Sequence, residues 1–111
     1  MGVTPNPAQF DIWLATVQYG HSMDPRPVLV IDKLPNDRFL VMTISGQMEL
    51  FKNAKAHLRI ERRDPDYDKT GLPRDECFID GSELRAVALA DFIKQYGILC
   101  GELQTKFEKW F

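Results

Sequence analysis

A short polar segment carries the side chains best suited to proton transfer near neutral pH. Residues 18–27 read QYGHSMDPRP and include His21, Asp24 and Arg26. An imidazole has an unperturbed pKa of about 6.5, so it can accept or donate a proton near neutrality. A guanidinium keeps its proton at physiological pH, so its natural role is to stabilise negative charge. Together these groups suit chemistry at a phosphodiester.

Hydroxyl and amide side chains follow in the next apolar segment, where Thr43, Ser45 and Gln47 alternate along the chain. A cation, an imidazole and hydroxyls are sufficient to cleave RNA without a metal. The ribose 2′-OH attacks its own phosphate, one group removes its proton, and another protonates the departing 5′ oxygen. A cation stabilises the phosphorane. His21 is the predicted acid or base, and Arg26 is the predicted cation.

Other kinds of site lack support in the sequence. There is no glycine-rich phosphate loop and no G-x-S-x-G motif. Cys77 and Cys100 have no second pair, which argues against a zinc site and a disulfide framework, so no metal or cofactor is predicted. No apolar run approaches the roughly 20 residues that span a bilayer. The N-terminal residues do not resemble a signal peptide, and we expect a cytoplasmic protein with reduced thiols.

The composition is that of one globular domain. The chain has 111 residues, 44% hydrophobic and 27% charged, and residues 1–9 read as a loose arm of the single domain 1–111. Its net charge of −2 argues against a basic nucleic-acid coat. However, residues 52–63 contain five Lys or Arg, and residues 64–83 contain seven acids. Three interpretations stay open: the basic block contacts phosphates, it is a solvated strand face beside a solvated loop, or the acidic block shields it within the molecule.

Short apolar runs and alternating patterns predict mostly strands. A helix is predicted across residues 89–97 from the spacing of Leu89, Phe92, Ile93 and Tyr96, with Gly97 as its cap. A terminal amphipathic helix follows. The predicted fold is mainly β with a C-terminal helix, a small curved antiparallel sheet nearly closed as a barrel. The predicted strands are 10–17, 28–31, 38–45, 55–62 and 76–80; the predicted loops or turns are 18–27, 34–37 and 63–75.

Four short motifs resemble the MazF/PemK toxins, small bacterial endoribonucleases of toxin–antitoxin modules. The motifs are DIWL at 11–14, RPVLVI at 26–31, TISGQ at 43–47 and TGLP at 70–73. The resemblance covers residues 10–110 in the right order. It implies an SH3-like barrel of the MazF/PemK/CcdB type, usually a homodimer. It also implies metal-independent cleavage of single-stranded RNA and inhibition by an antitoxin whose disordered segment covers the RNA groove.

The same resemblance implies roles for individual residues. Arg26 matches the catalytic arginine of the family, and Ser45 stands where many members have a catalytic threonine. Gln47 matches a polar neighbour, a candidate for substrate binding. His21 lies in the loop where the PemK branch carries a functional histidine.

Further candidates for substrate binding lie on the later strands. Asp80 is near an acid of the PemK branch, although the arginine expected two positions earlier is Phe78. His57 and Arg59 share the polar face of a predicted strand and are candidates for phosphate contact, as is Thr43 for the substrate. Loops at residues 18–23 and 63–74 are the candidates for reading bases.

Simpler interpretations also fit these residues. His21 could be an exposed loop residue, and Arg26 could form a surface ion pair of about 0–1 kcal/mol. A barrel of this kind could also act without catalysis, as a gyrase poison resembling CcdB or as a degenerate toxin that binds RNA or a protein. The aromatic pair Trp110 and Phe111 at the C-terminus fits the gyrase poison.

Overall fold

The computed structural model describes residues 6–19, 21–46 and 56–111, which form a β-sheet and one α-helix. Two short 3-10 helices, Tyr67–Thr70 and Leu89–Asp91, interrupt the later connections. The strands are β1 (Asp11–Tyr19), β2 (Ser22–Leu34), β3 (Arg38–Ser45), β4 (His57–Glu61), β5 (Glu76–Asp80), β6 (Arg85–Ala88) and β7 (Phe92–Ile98), followed by helix α1 (Gly101–Trp110).

The sheet has seven strands in the order β4-β5-β3-β2-β1-β7, and β6 also pairs with β3. Every pairing is antiparallel. Among the described strands, β4 and β7 end this path without pairing with each other, so the sheet is not closed. The predicted fold class, mainly β with a C-terminal helix, is confirmed, and the sheet predicted to be nearly closed as a barrel is open between β4 and β7.

Two apolar clusters lie on the two faces of the central strands. The apolar run 28–31 of β2 is buried on both faces, since Leu29 belongs to one cluster while Val28 and Val30 belong to the other. Helix α1 adds Leu103 and Phe107 to the first cluster, which confirms the predicted amphipathic terminal helix. The remaining main members of the first cluster are Ile12, Met42, Ile44, Leu58, Ile60, Tyr67, Leu72, Cys77, Ile79 and Leu99.

The predicted loop over residues 18–27 is wrong, because most of it is strand. β1 continues to Tyr19, and β2 begins at Ser22 and runs through Pro25 and Pro27. Over these prolines β2 pairs with β1, and its pairing with β3 begins only at Val28. Proline is tolerated where one strand edge is unpaired, since it has no N–H to donate there. The unpaired edge matters for the site described below.

The predicted helix at 89–97 is also wrong, since most of it is β7, which pairs with β1. Two register shifts in this pairing interrupt the regular alternation of buried and exposed residues. Because of this interruption, the apolar residues of the segment have a spacing that resembles that of a helix. Gly97 is not a helix cap. A Cβ at this position would lie 2.7 Å from the carbonyl oxygen of Thr70, so the residue permits close approach of two backbones.

Two predicted strands and one predicted turn agree with the structure, whereas strand β6 was not predicted. β3 and β5 have the predicted ends, and the predicted turn before β3 contains Asn36 and Asp37 with φ of 64° and 53°. Of the predicted N-terminal arm, residues 6–9 are described, and the Ala8 N–H donates a hydrogen bond to Asp11 Oδ2 (2.9 Å). In the described part of the chain, no helix has the length and apolar character needed to cross a membrane.

Candidate active site

A cleft of about 430 Å³ opens where β2 and β3 separate. Its walls come from the proline-containing part of β2, the end of β3, and the connection between β4 and β5. Because β3 pairs with β5 rather than β2 at its last residues, the edges of both strands are accessible at this point. The cleft is lined by Asp24, Pro25, Arg26, Pro27, Ile44, Ser45, Gly46, Leu72, Pro73, Arg74 and Cys77.

Two predicted catalytic residues meet in this cleft. Val28 of β2 lies opposite Thr43 of β3. Two residues further along each strand, side chains return to the same face, which places Arg26 across from Ser45. Both side chains are half-buried and line the cleft. A guanidinium and a hydroxyl therefore lie on one surface of the cleft.

Two other predicted residues lie elsewhere, and a third is not among the described residues. Thr43 is only 4% exposed and does not line the cleft. His21 is exposed between β1 and β2, five residues from Arg26, about 17 Å along a strand at roughly 3.3 Å per residue. Gln47 lies outside the described residues. The cleft therefore gathers Arg26 and Ser45 without His21.

Asp24 and Arg74 line the cleft as well. Asp24 belongs to the same polar segment as Arg26, but neither residue was a predicted catalytic or substrate-binding residue. Asp24 shares the face of Arg26, because the two are separated by two residues of β2. Reading residues 22–27 as a strand would have revealed this. Arg74 follows β3 by 29 residues, so its position depends on how the connection between β4 and β5 is folded.

The connection between β4 and β5 is fixed to helix α1 by two aspartates. Asp64 accepts hydrogen bonds from Lys106 Nζ at 3.1 and 3.2 Å. Asp66 Oδ2 accepts one from the N–H of Glu102 in the first turn of α1 (3.1 Å), and Asp66 Oδ1 pairs with Lys69 (3.1 Å). The hydrogen bond from Lys69, followed by that from the helix, holds the pKa of Asp66 below its usual value. The predicted long loop, residues 63–75, is thus held in place by these contacts and forms one wall of the cleft.

Buried hydrogen bonds continue this wall into the cleft. The Tyr67 side chain, in a residue only 4% exposed, donates its hydroxyl proton to the carbonyl oxygen of Arg74 at 2.6 Å. The same hydroxyl lies 3.6 Å from Cys77 Sγ, and burial raises the pKa of both groups. Thr70 Oγ1 donates to the Tyr67 carbonyl (2.6 Å) and accepts from the Leu72 N–H (3.3 Å). These bonds fix the backbone on both sides of the cleft-lining segment.

A polar strip extends from the cleft across β5 and β4. Phe78 pairs in register with both Ser45 and Arg59, and His57 pairs with Asp80 on the same face. His57 Nε2 lies 3.3 Å from Asp80 Oδ1. The side chains predicted to bind substrate on these strands therefore share the face of Ser45, but they lie outside the cleft lining.

Carboxylates compensate the basic charge of this strip. Arg59 Nη2 lies 3.0 Å from Glu61 and 2.6 Å from Glu76, and the hydrogen bond to Glu76 is the main reason its pKa is raised. Arg62 pairs with Asp75 at 2.5 Å. Acids of the segment 64–83 thus pair with Arg59 and Arg62, which favours the interpretation that the acidic block shields the basic block. Residues 52–55 lie outside the described residues.

The cleft combines two arginines, one serine hydroxyl and one carboxylate. Arginine binds phosphate with a planar array of N–H donors, and a carboxylate can accept a proton from an attacking hydroxyl. Among the described residues, no group of three or more His, Cys, Asp or Glu side chains is placed to hold a metal ion. The side chains in the cleft suit attack of an internal hydroxyl on a phosphodiester.

Comparison with known proteins supports the architecture. No protein-family model matches the chain, and no curated protein sequence matches it. Among solved structures, the chain is similar to the Mycobacterium tuberculosis toxin MazF-mt6, with a TM-score of 0.66 and 13% sequence identity over 90% of each chain. At this identity the likeness concerns the fold. The chain therefore has a MazF-like fold, an antiparallel sheet of seven strands with one C-terminal helix.

Proposed function

We propose that the protein is a toxin endoribonuclease that cleaves single-stranded RNA without a metal ion. The observation that carries this proposal is the convergence of Arg26 and Ser45 in one cleft of a MazF-like fold. These are the two positions where the sequence resembles the catalytic residues of the MazF/PemK family. Fold alone does not define function, so the side chains in the cleft carry the argument.

Each group in the cleft has a role in the proposed reaction. The Asp24 carboxylate accepts the proton of the ribose 2′-OH as this oxygen attacks the adjacent phosphorus. The Arg26 guanidinium stabilises the charge that develops on the phosphorane, and the Ser45 hydroxyl donates a hydrogen bond to a non-bridging oxygen. The bond from phosphorus to the 5′ oxygen breaks, and this oxygen takes a proton from water, leaving a 2′,3′-cyclic phosphate and a 5′-hydroxyl end, while Asp24 releases its proton to the solvent. Asp24 replaces His21 as the proposed base because it lines the cleft.

The proposal includes partners as well. A MazF-like toxin is expected to act in the cytoplasm, to form a homodimer, and to be held inactive by a cognate antitoxin. A domain of this size buries only about 60–68% of its unfolded surface, so a dimer interface would add to its stability. An antitoxin segment that covers the cleft would compete directly with RNA.

The test is to incubate purified protein with a long single-stranded RNA in excess EDTA and to map the new ends. We expect discrete cuts with 5′-hydroxyl ends, and none in an oligonucleotide whose cleavage site carries a 2′-O-methyl group. An Arg26→Ala sample purified in the same way controls for contaminating nuclease and should leave the RNA intact.

Two results would overturn the proposal. If folded protein free of antitoxin leaves all RNA intact, the chain acts by binding, as a gyrase poison or a degenerate toxin would. If cleavage persists when the 2′-OH is blocked, internal attack by that hydroxyl is not the reaction.

A further inference from the structure

We propose that Arg74 is a second phosphate-binding residue of the cleft and holds the phosphate next to the one at which cleavage occurs. This inference rests on the proposed function and assigns a substrate contact within the same site. Arg74 lies in the connection between β4 and β5, and it lines the cleft together with Arg26 and Ser45. The two arginines approach from different walls, one from β2 and one from this connection.

The side chain of Arg74 passes directly over the backbone of Gly46. A Cβ built on this glycine would overlap Arg74 Cδ and would lie 2.7 Å from Nε. Gly46 follows Ser45, and Ser45, Gly46 and Arg74 all line the same cleft. A second cation in this cleft suits a neighbouring phosphate of the same RNA strand.

The backbone of Arg74 is fixed, although its side chain is exposed. Its carbonyl oxygen accepts the hydrogen bond of the buried Tyr67 hydroxyl at 2.6 Å, and the next residue, Asp75, pairs with Arg62. Within the described residues, no carboxylate forms an ion pair with Arg74. The residue thus presents an uncompensated charge from a fixed backbone, unlike Arg59, whose charge is compensated by two glutamates.

A contact with a neighbouring phosphate has a distinctive kinetic signature. Such a phosphate carries the same charge in the ground state and in the transition state, so the contact strengthens both equally. Its loss raises KM and leaves kcat nearly unchanged, whereas loss of a contact to the phosphorane lowers kcat. We expect Arg74→Ala to raise KM about tenfold, since one phosphate contact is removed.

The experiment measures cleavage kinetics and binding of an uncleavable 2′-O-methyl RNA by wild type, Arg74→Ala and Arg74→Lys. In a plot of log affinity against log salt concentration, the magnitude of the slope should be smaller by about 0.7 in Arg74→Ala than in wild type. This is the value for one phosphate contact with a single strand. Arg74→Lys keeps the charge and should retain the slope. Lys33→Ala is the matched control, because Lys33 is an exposed cation at the far end of β2.

Each outcome has a separate meaning. If wild type cleaves RNA but Arg74→Ala retains its KM and salt slope, this assignment fails and the proposed function stands. If Arg74→Ala lowers kcat with KM unchanged, Arg74 acts on the reacting phosphate, and the assignment to the neighbouring one is wrong. If wild type neither cleaves nor binds RNA, the proposed function fails first, and this inference fails with it.

Discussion

Strand β2 borders two grooves of similar size that differ in charge. The cleft between β2 and β3 measures about 430 Å³, and a second groove beside the β1–β2 hairpin measures about 390 Å³. The cleft contains two arginines and one aspartate. The second groove contains Arg85 together with Glu83 and Asp91, and Met23 and Leu84 give it an apolar rim. Size therefore does not distinguish the two grooves as phosphate sites.

The two grooves also differ in the partners of their arginines. Arg85 donates to the Gln18 carbonyl oxygen at 2.8 Å and to Glu83 at 3.1 Å, so its guanidinium connects two walls of its own groove. Arg74, in contrast, has no carboxylate partner among the described residues and faces the cleft. A phosphate entering the second groove would meet two carboxylates and a compensated cation. Net charge and the ion pairs of the arginines therefore distinguish the cleft from the second groove, whereas volume does not.

The largest expected effect comes from removing one arginine from each groove. Arg26→Ala should lower the cleavage rate by about 10²- to 10³-fold, the usual cost of losing one donor that stabilises a developing charge. Arg85→Ala should leave the rate within about twofold of wild type, because its groove takes no part in the proposed reaction. The measurement is single-turnover cleavage of one labelled RNA, with circular dichroism to verify folding. Equal losses in both variants would remove the distinction between the grooves.

The next effect concerns the connection between β4 and β5, which lines the cleft but not the second groove. Gly97→Ala adds a methyl group against the backbone of Lys69 and Thr70, where a Cβ would lie 2.7 Å from the Thr70 carbonyl oxygen. We expect the free energy of unfolding to fall by about 1–3 kcal/mol, as for other overpacked sites. Urea denaturation measures this change.

Gly46→Ala is the matched control for that prediction. The three atoms nearest to its added methyl group all belong to the flexible side chain of Arg74, which can move away. The loss of stability should therefore be clearly smaller than for Gly97→Ala. If the two variants lose equal stability, the close contact between β7 and the connection is not what holds this wall in place.

The sequence predicts the fold best where local patterns and sheet pairing agree. β3 and β5 are apolar segments bounded by turn residues, and both have the predicted ends. The segment containing Pro25 and Pro27 reads as a loop because proline disfavours strands in general. Its tolerance here depends on one edge of β2 having no partner, which is a property of the whole sheet. β7 likewise pairs with β1, about 80 residues earlier, and local spacing cannot report that contact.

The candidate site shows the same division. Arg26 and Ser45 could be chosen because the sequence resembles the catalytic residues of the MazF/PemK family at both positions. Their alignment across β2 and β3 depends on a register shift between Val30 and Asp32, which the turn does not predict. Arg74 is not predictable from local sequence. Its place in the cleft depends on Asp64, Asp66 and Tyr67, which fix the connection to α1 and to the cleft through contacts between distant segments. A sequence pattern carries no signal for such contacts.

The smallest expected effect is a pH dependence of the stability that Asp66 contributes by fixing the connection between β4 and β5. Lys69 and the N–H of Glu102 hold the pKa of Asp66 below the roughly 3.9 of an unfolded chain. A lowered pKa in the folded state stabilises the protein above the unfolded pKa, and this contribution is lost as the pH falls through the folded pKa. The difference in unfolding free energy between wild type and Asp66→Asn should therefore be constant from pH 7 to about 5 and shrink below about pH 4. Urea denaturation across this range measures it, and Glu83→Asn, on the rim of the second groove, is the control. If the difference in unfolding free energy instead grows as the pH falls, the charge of the Asp66 carboxylate does not fix the connection between β4 and β5. The contrast between a cleft with a fixed wall and an ordinary surface groove would then lose this support.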